Sequence, residues 1–332
     1  MAALRLGIVG VGRHGSRYAR HAARDVDGIE LVAICRRNAQ AGRELAAELG
    51  CAYEPDPAAL CTRDDIDAVA LVTVPSILEN LVVLSAGAGK RLLVEKPVAL
   101  DAASGGRILD VLESSGVYCL AGHTLRFNRA VNGVRERIGE LGRIDSVVLT
   151  QRFAPQSHID WIDEPTRSGG GNILHTGVHG FDLIRYMTGL EPESVVCSTA
   201  SVHTRRTEDN FSCMLSFRDS EALGMVTCSR STHGRNGLIE ISGENGQLVG
   251  DHVHNLLARI GPDGRTEIGL PDAAQTVRDT LEALVADAGS GSAPRASYRD
   301  GLVAVNVADA CYRSAASGQR ERVVLPRPAT LV

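Results

Sequence analysis

Two hydrophobic rhythms divide the chain. Up to Gly122, short runs that are apolar throughout alternate with stretches of helical period. The runs predict strands at Leu4–Val9, Ile29–Cys35, Asp67–Thr73, Arg91–Val94 and Tyr118–Ala121. The stretches between them predict helices over 16–25, 39–49, 79–88 and 102–114, with Gly50 and Gly89 as stop signals. Strands with no polar face, interleaved with helices, imply a parallel sheet covered on both sides. From Ile144 onward the strands are longer and alternate apolar with polar: Ile144–Arg152, Ser194–His203, Asn210–Phe217, Leu223–Ser229, Leu238–Ser242, Gln247–Val249 and Leu256–Ile260. Turn signals such as Gly243-Glu244-Asn245-Gly246 separate them, so this half predicts an antiparallel sheet. A long helix over 298–317 is expected to pack back on the body. The expectation is an α/β domain over 1–122 and an α+β domain over 123–332.

Composition leaves that picture intact. The chain has 332 residues, 44% apolar and 23% charged, enough for a full core in each of two domains. A net charge of −5 offers no basic stripe for nucleic acid and no polybasic patch for lipid. No apolar run approaches the ~20 residues that a bilayer requires. The eight cysteines are scattered without a Cys-x-x-Cys pair, which suits free thiols in a reducing cytoplasm.

The first candidate chemistry follows the first strand. Gly10-Val11-Gly12-Arg13-His14-Gly15 is G-x-G-x-x-G between a strand and a helix. In that setting Gly10 makes the tight turn, Gly12 lets backbone approach a pyrophosphate and Gly15 permits close helix–strand packing. The helix start supplies N–H donors and a positive dipole end. This predicts a Rossmann domain holding a dinucleotide, with Arg13 and His14 in the phosphate loop. The second strand ends in Arg36-Arg37 with no acid from Leu31 to Asn38. Guanidinium groups at that place accommodate a 2′-phosphate, so NADP(H) is favoured and NAD(H) remains possible. Thr73 and Pro75 end the next buried strand on the same edge.

The stretch Leu92-Leu93-Val94-Glu95-Lys96-Pro97 then delivers a carboxylate and an amine where a proline must stop the strand. Glu95 and Lys96 therefore stand at the ligand-binding edge of a parallel sheet, and burial readily shifts a lysine's pKa. Downstream, Gly169-Gly170-Gly171 opens a predicted helix running to Thr188. On it His175, His179 and Asp182 fall at i, i+4 and i+7 on one face. Gly177 and Gly180 cost roughly 1 kcal/mol each inside a helix, which implies a close approach to the backbone there.

Taken together, Gly10-Val11-Gly12, Glu95-Lys96-Pro97 and Gly169-Gly170-Gly171…Gly177-Val178-His179…Asp182 resemble the glucose-fructose oxidoreductase / inositol dehydrogenase (Gfo/Idh/MocA) family along nearly the whole chain. The resemblance implies a Rossmann domain followed by a domain whose large open, mainly antiparallel sheet forms homodimers or homotetramers. It implies NAD(P)-dependent oxidation or reduction of a secondary alcohol on a sugar, cyclitol or related polyol. Lys96 then matches the lysine that bonds the reacting oxygen, through a Lys96–Pro97 bond often cis in relatives. His179 matches the histidine that exchanges the hydroxyl proton. Most relatives carry an aspartate four positions before that histidine, and here it is His175. An imidazole can orient a neighbour but lacks the carboxylate's charge, so Lys96 is expected to titrate lower than in those relatives. His123, Arg126, Asn128 and Trp161 occupy segments that line the cleft in relatives and are expected, with Asp182, to reach substrate. His175, His179 and Asp182 could in principle hold a metal, but the family pattern needs none and none is expected. Two alternatives stay open: a nucleotide-binding sensor without turnover, and a redox-assisted glycosidase.

Overall fold

The structure, a computed structural model, describes residues 2–155 and 160–327. The chain divides into two compact units, one made of 1–124 with 275–302 and the other of 125–274 with 303–332. The single cut expected at 122/123 is thus too simple. A helix at Thr276–Ser290, which the sequence did not reveal, belongs with the first unit, and the helix Tyr298–Ser317 begins in one unit and ends in the other.

The first unit is a parallel sheet of β1 (Leu4–Val9), β2 (Ile29–Cys35), β3 (Ala52–Tyr53), β4 (Ala68–Leu71), β5 (Arg91–Glu95) and β6 (Cys119–Gly122). Its strand order is β3-β2-β1-β4-β5-β6. Leu6, Ile8, Ile34, Leu71, Leu92 and Leu93 are fully buried, as strands covered on both faces require. The helices are α1 (Gly15–Arg24), α2 (Ala39–Leu49), α3 (Pro57–Thr62), α4 (Leu78–Gly87) and α5 (Ala102–Ser115). Local chemistry sets their ends. Asn38 caps α2 by accepting from the Ala41 amide, and Gly50 closes it at φ 70°. Asp101 and Ser104 form a capping box on α5. The order reverses direction between β1 and β4, which is where open α/β sheets bind ligands, beyond the carboxyl ends of the strands.

The second unit is built on a nine-stranded sheet, β7 (Ile144–Arg152), β8 (Pro192–Ala200), β9 (Asn210–Phe217), β10 (Ser220–Ser229), β11 (Asn236–Gly243), β12 (Gly246–Asp251), β13 (Leu256–Gly261), β14 (Gly264–Glu267) and β15 (Glu321–Arg322). The order is β14-β13-β12-β11-β7-β10-β9-β8-β15, antiparallel except for the β7–β10 pair. One face is buried under helices α6 (Arg129–Arg137) and α8 (Val178–Thr188), with the four-residue turn α7 (Pro165–Ser168) between them in sequence. The opposite face keeps Val196, Met214, Leu223 and Met225 exposed. Among the described residues no helix is long and apolar enough to cross a membrane.

Candidate active site

In the first unit the glycine loop has the predicted conformation. Gly10 sits at φ 94°, and a Cβ there would overlap the Val72 carbonyl, so only glycine lets β1 turn against the exit of β4. A Cβ on Gly15 would overlap the Gly10 carbonyl, which makes the α1–β1 approach equally dependent on glycine. Around Gly12 the space is open, with no atom within 4 Å of a Cβ position. This bare backbone at the start of a ten-residue helix suits an anionic pyrophosphate. Thr73 lies beside Gly10, and buried Pro75 opens the turn Pro75–Ile77 that leads into α4.

At the end of β2, Arg36 is half-buried and Arg37 is exposed. The Arg36 carbonyl accepts a 2.9 Å hydrogen bond from the Tyr53 hydroxyl, which fixes the backbone that presents both guanidinium groups. Lys96 follows β5 directly and is half-buried, and its peptide bond to Pro97 is cis. Glu95 does not face outward as a cofactor ligand. It is buried, its Oε1 accepts from the Tyr18 hydroxyl at 2.9 Å, and it pairs with His14 Nε2 at 2.7 Å. Burial favours its neutral form, but the charges and hydrogen bonds of His14, Lys96 and Tyr18 outweigh this and hold the carboxyl below its usual range.

In the second unit the histidine segment is not one uniform helix. Ile173–Gly177 forms a π turn, and the α-helix starts only at Val178. The wide turn lies between His175 and His179 and alters the rotation per residue on the way from one to the other. Gly177 and Gly180 do admit a close neighbour, but that neighbour is the core. Cβ atoms there would lie 2.7 Å from Phe211 and 2.8 Å from Val226. His175 is buried, and its Nε2 lies 3.0 Å from the Ser168 carbonyl oxygen, which can only accept. Nε2 therefore carries the proton, and the ring stands edge-on to Trp161 at 5.3 Å. His179 is half-buried on the first turn of α8.

Three expected substrate contacts have other partners. Arg126 and Asp182 are both buried and form a bidentate ion pair with distances of 2.6 and 2.9 Å. The same guanidinium stacks 4.9 Å from the Tyr186 ring. Asn128 caps α6, accepting from the Ala130 and Val131 amides, and its Nδ2 donates to the His252 carbonyl at 2.9 Å. Such groups stabilise the unit because burial demands that each polar atom be matched. Asp182 is thus engaged by Arg126, and no metal-binding cluster occurs among the described residues. His123 is buried just beyond β6.

Sequence reasoning missed the residues beneath the π turn. Glu208 accepts from the Ile173 amide at 2.7 Å and from the Gly171 amide at 3.2 Å, and Arg230 donates to Thr176 Oγ1 at 2.9 Å. Their only signal was charge at the ends of otherwise apolar strands.

Residues 4–123 match the oxidoreductase family with NAD-binding Rossmann fold, and residues 134–249 match the GFO/IDH/MocA C-terminal domain. The chain belongs to the Gfo/Idh/MocA oxidoreductase family. It is 28% identical to inositol 2-dehydrogenase of Rhizobium meliloti (strain 1021), covering 94% of this chain and 97% of that protein. It is 28% identical to myo-inositol 2-dehydrogenase of Thermotoga maritima, covering 94% and 96%. Among solved structures, an oxidoreductase domain protein from Kribbella flavida superposes with a TM-score of 0.88 at 23% identity, over 98% of this chain and 100% of that one. Levoglucosan dehydrogenase in complex with NADH gives 0.90 at 20% identity, over 97% and 100%, a likeness of fold. The glycine loop fits the nicotinamide dinucleotide that this oxidoreductase family uses: only glycine fits at Gly10 and Gly15, and the approach at Gly12 is open.

Proposed function

We propose that this oxidoreductase is an NAD(P)-dependent dehydrogenase of a secondary alcohol on a cyclitol, sugar or related polyol, with NADP(H) the favoured nucleotide. The observation that carries the reading is the order of parts in one chain. A dinucleotide loop, a lysine at the exit of β5 and a histidine on the first turn of α8 occur in a protein whose full-length relatives include inositol dehydrogenases. A nicotinamide dinucleotide held by the glycine loop through its pyrophosphate would supply a hydride acceptor for the carbinol C–H bond.

The chain's own residues supply the rest. The start of α1 would hold the pyrophosphate, and Arg36 and Arg37 would pair with a 2′-phosphate. Lys96 donates an N–H to the reacting oxygen, and His179 takes the hydroxyl proton as the carbonyl forms. His175 acts by orientation, since its Nε2–H is committed to Ser168 and its ring braces Trp161, the residue proposed to reach the substrate together with His123.

Assembly as a homodimer or homotetramer belongs to the same reading. Across four neighbouring strands, Val196, Met214, Met225 and Val148 stand in register on the outer face of the sheet. The row beside them is Ser198, Ser212, Thr227 and Thr150. Over these four strands neither row carries a charged side chain, and a second copy can lay the same rows on this face with Glu240, in register with Val148 on β11, and Arg152, which donates to Thr227, at their edge.

The test is a panel of inositols, polyols and keto-sugars followed at the nicotinamide absorbance band with NAD and NADP separately. Turnover with a cyclitol or sugar and a higher kcat/KM for NADP are expected. Tight nucleotide binding without turnover of any member would favour a sensor, and release of a glycosidic leaving group without net nicotinamide reduction would favour a redox-assisted glycosidase.

A further inference from the structure

The segment that carries His175 and leads into His179 is held from outside itself. Asn172 stands at the start of the π turn with helical backbone angles and makes no side-chain cap. The cap comes from Glu208, 36 positions further along the chain. Its Oε1 accepts from the Ile173 amide at 2.7 Å, its Oε2 accepts from the Gly171 amide at 3.2 Å, and its main-chain oxygen accepts from the Asn172 amide at 2.8 Å. Three successive amides thus converge on one acid, which places negative charge at the positive end of the helix.

Tyr312 closes this arrangement. Its hydroxyl donates to Glu208 Oε1 at 3.0 Å and accepts from the Gly171 amide at 3.0 Å. The glycine run is what lets the chain reach them, because a Cβ on Gly170 would overlap the Tyr312 hydroxyl and one on Gly171 would overlap Glu208. Within the turn, Thr176 Oγ1 accepts from Arg230 Nε at 3.2 Å and Nη2 at 2.9 Å. Arg230 and Glu208 follow and precede the paired strands β10 and β9, and the Arg230 amide donates to the Asp209 carbonyl. Burial lowers the Arg230 guanidinium to about 10, opposed in part by the nearby Glu208, and burial raises the Glu208 carboxyl against the hydrogen bonds it accepts.

A π turn holds one residue more than an α turn and is the less stable conformation. Relaxing it to α geometry would shift the register by one residue and swing everything beyond it by about 100° around the axis. Contacts at Ile173 and at Thr176 oppose that slip. We infer that Glu208, Tyr312 and Arg230 are positioning residues that lock the π turn Ile173–Gly177 and thereby set the orientation of the His179 ring. This rests on the acid–base role proposed for His179.

The test uses the full chain with ¹³C-labelled histidine, with the His179 ring resonance assigned by its disappearance in His179→Asn. Tyr312→Phe and Glu208→Gln are each compared with wild type, and circular dichroism checks folding. The expected result is a shifted His179 resonance and titration midpoint in both variants. Where myo-inositol is turned over, kcat falls about tenfold or more while nucleotide Kd stays within about twofold, a split that general loss of stability would not produce. A folded Tyr312→Phe protein whose His179 resonance and titration match wild type overturns the inference, whether or not Glu208→Gln folds. Wild-type turnover by His179→Asn would instead remove the acid–base reading, and the resonance shift would still report on the lock.

Discussion

His14 Nε2 lies 2.7 Å from Glu95 Oε1, so the phosphate loop and the strand end that carries Lys96 share a hydrogen bond. Tyr18, one turn along α1, donates to the same oxygen at 2.9 Å. Glu95 is buried while the His14 ring is part-exposed, so the loop conformation depends on a carboxylate fixed in the core. Because the folded protein holds the Glu95 carboxyl below its unfolded range, the stabilisation is complete above the usual glutamate pKa of about 4.3. It is lost as pH falls through the lower folded value. Glu95→Gln is expected to destabilise the protein by about 1–3 kcal/mol at pH 7. The gap to wild type should narrow below pH ~4. Urea midpoints measured from pH 7 to pH 3 check both the size and the direction.

Lys96 is the first residue to replace. It stands outside the phosphate loop, so Lys96→Met should abolish turnover and change nucleotide Kd by less than about threefold, under 1 kcal/mol. Calorimetric titration of the nucleotide beside a steady-state assay separates the two effects. A mutant that still turns over would remove Lys96 from the chemistry.

The ion pair Arg126–Asp182 should matter to stability. Asp182→Asn removes the carboxylate that pairs with a buried guanidinium, and breaking a buried pair costs about 3–5 kcal/mol. Replacing both residues, as in Arg126→Met with Asp182→Leu, should recover part of that loss because both members of the pair are removed together. Denaturant unfolding of Asp182→Asn and of the double variant decides. A stable Asp182→Asn protein with impaired substrate KM would return Asp182 to the binding site.

How much of this was legible in the sequence depended on range. Leu4–Val9, Ile29–Cys35, Ile144–Arg152 and Asn210–Phe217 form strands over the predicted residues, because each is an apolar or alternating run ended by local turn chemistry. The glycine loop was equally local. Asn128 could have been read as a helix cap from the Arg129–Arg137 pattern behind it, yet it looked like a polar ligand. The π turn was invisible to a periodicity count, which assumes a constant 3.6 residues per turn. The pairings Arg126–Asp182 and Glu208–Ile173 join residues 56 and 35 positions apart, and no local pattern encodes such partners. The return of Thr276–Ser290 to the first unit is likewise tertiary.

The outer face of the nine-stranded sheet gives a prediction about assembly. Met214 and Met225 face each other across β9 and β10, both exposed in the isolated chain. A charge placed there would be buried unpaired in any interface that uses the face. Met214→Asp is expected to lower the oligomeric state seen by light scattering and to leave the circular dichroism unchanged. An unchanged mass at micromolar protein would exclude this face.

The last prediction concerns His252, whose ring lies against Gly237 and whose Nε2 sits 3.3 Å from Gln151 Nε2. Both features suit a neutral ring, because the amide nitrogen can only donate and a protonated Nε2 could not accept. Burial, opposed by Asp251, pushes the imidazole from 6.5 down to about 4. Between those values the unfolded chain binds the proton and the folded chain does not, so stability rises with pH across that window. It should be fully present above about pH 6.5 and be lost as pH falls toward 4, by up to about 3 kcal/mol. His252→Gln removes the titrating group, so its unfolding free energy should lack this part of the acid slope. Parallel slopes for the two proteins between pH 7 and pH 4 would mean that His252 is protonated in the folded state, and that the second unit tolerates a charge beside Arg235.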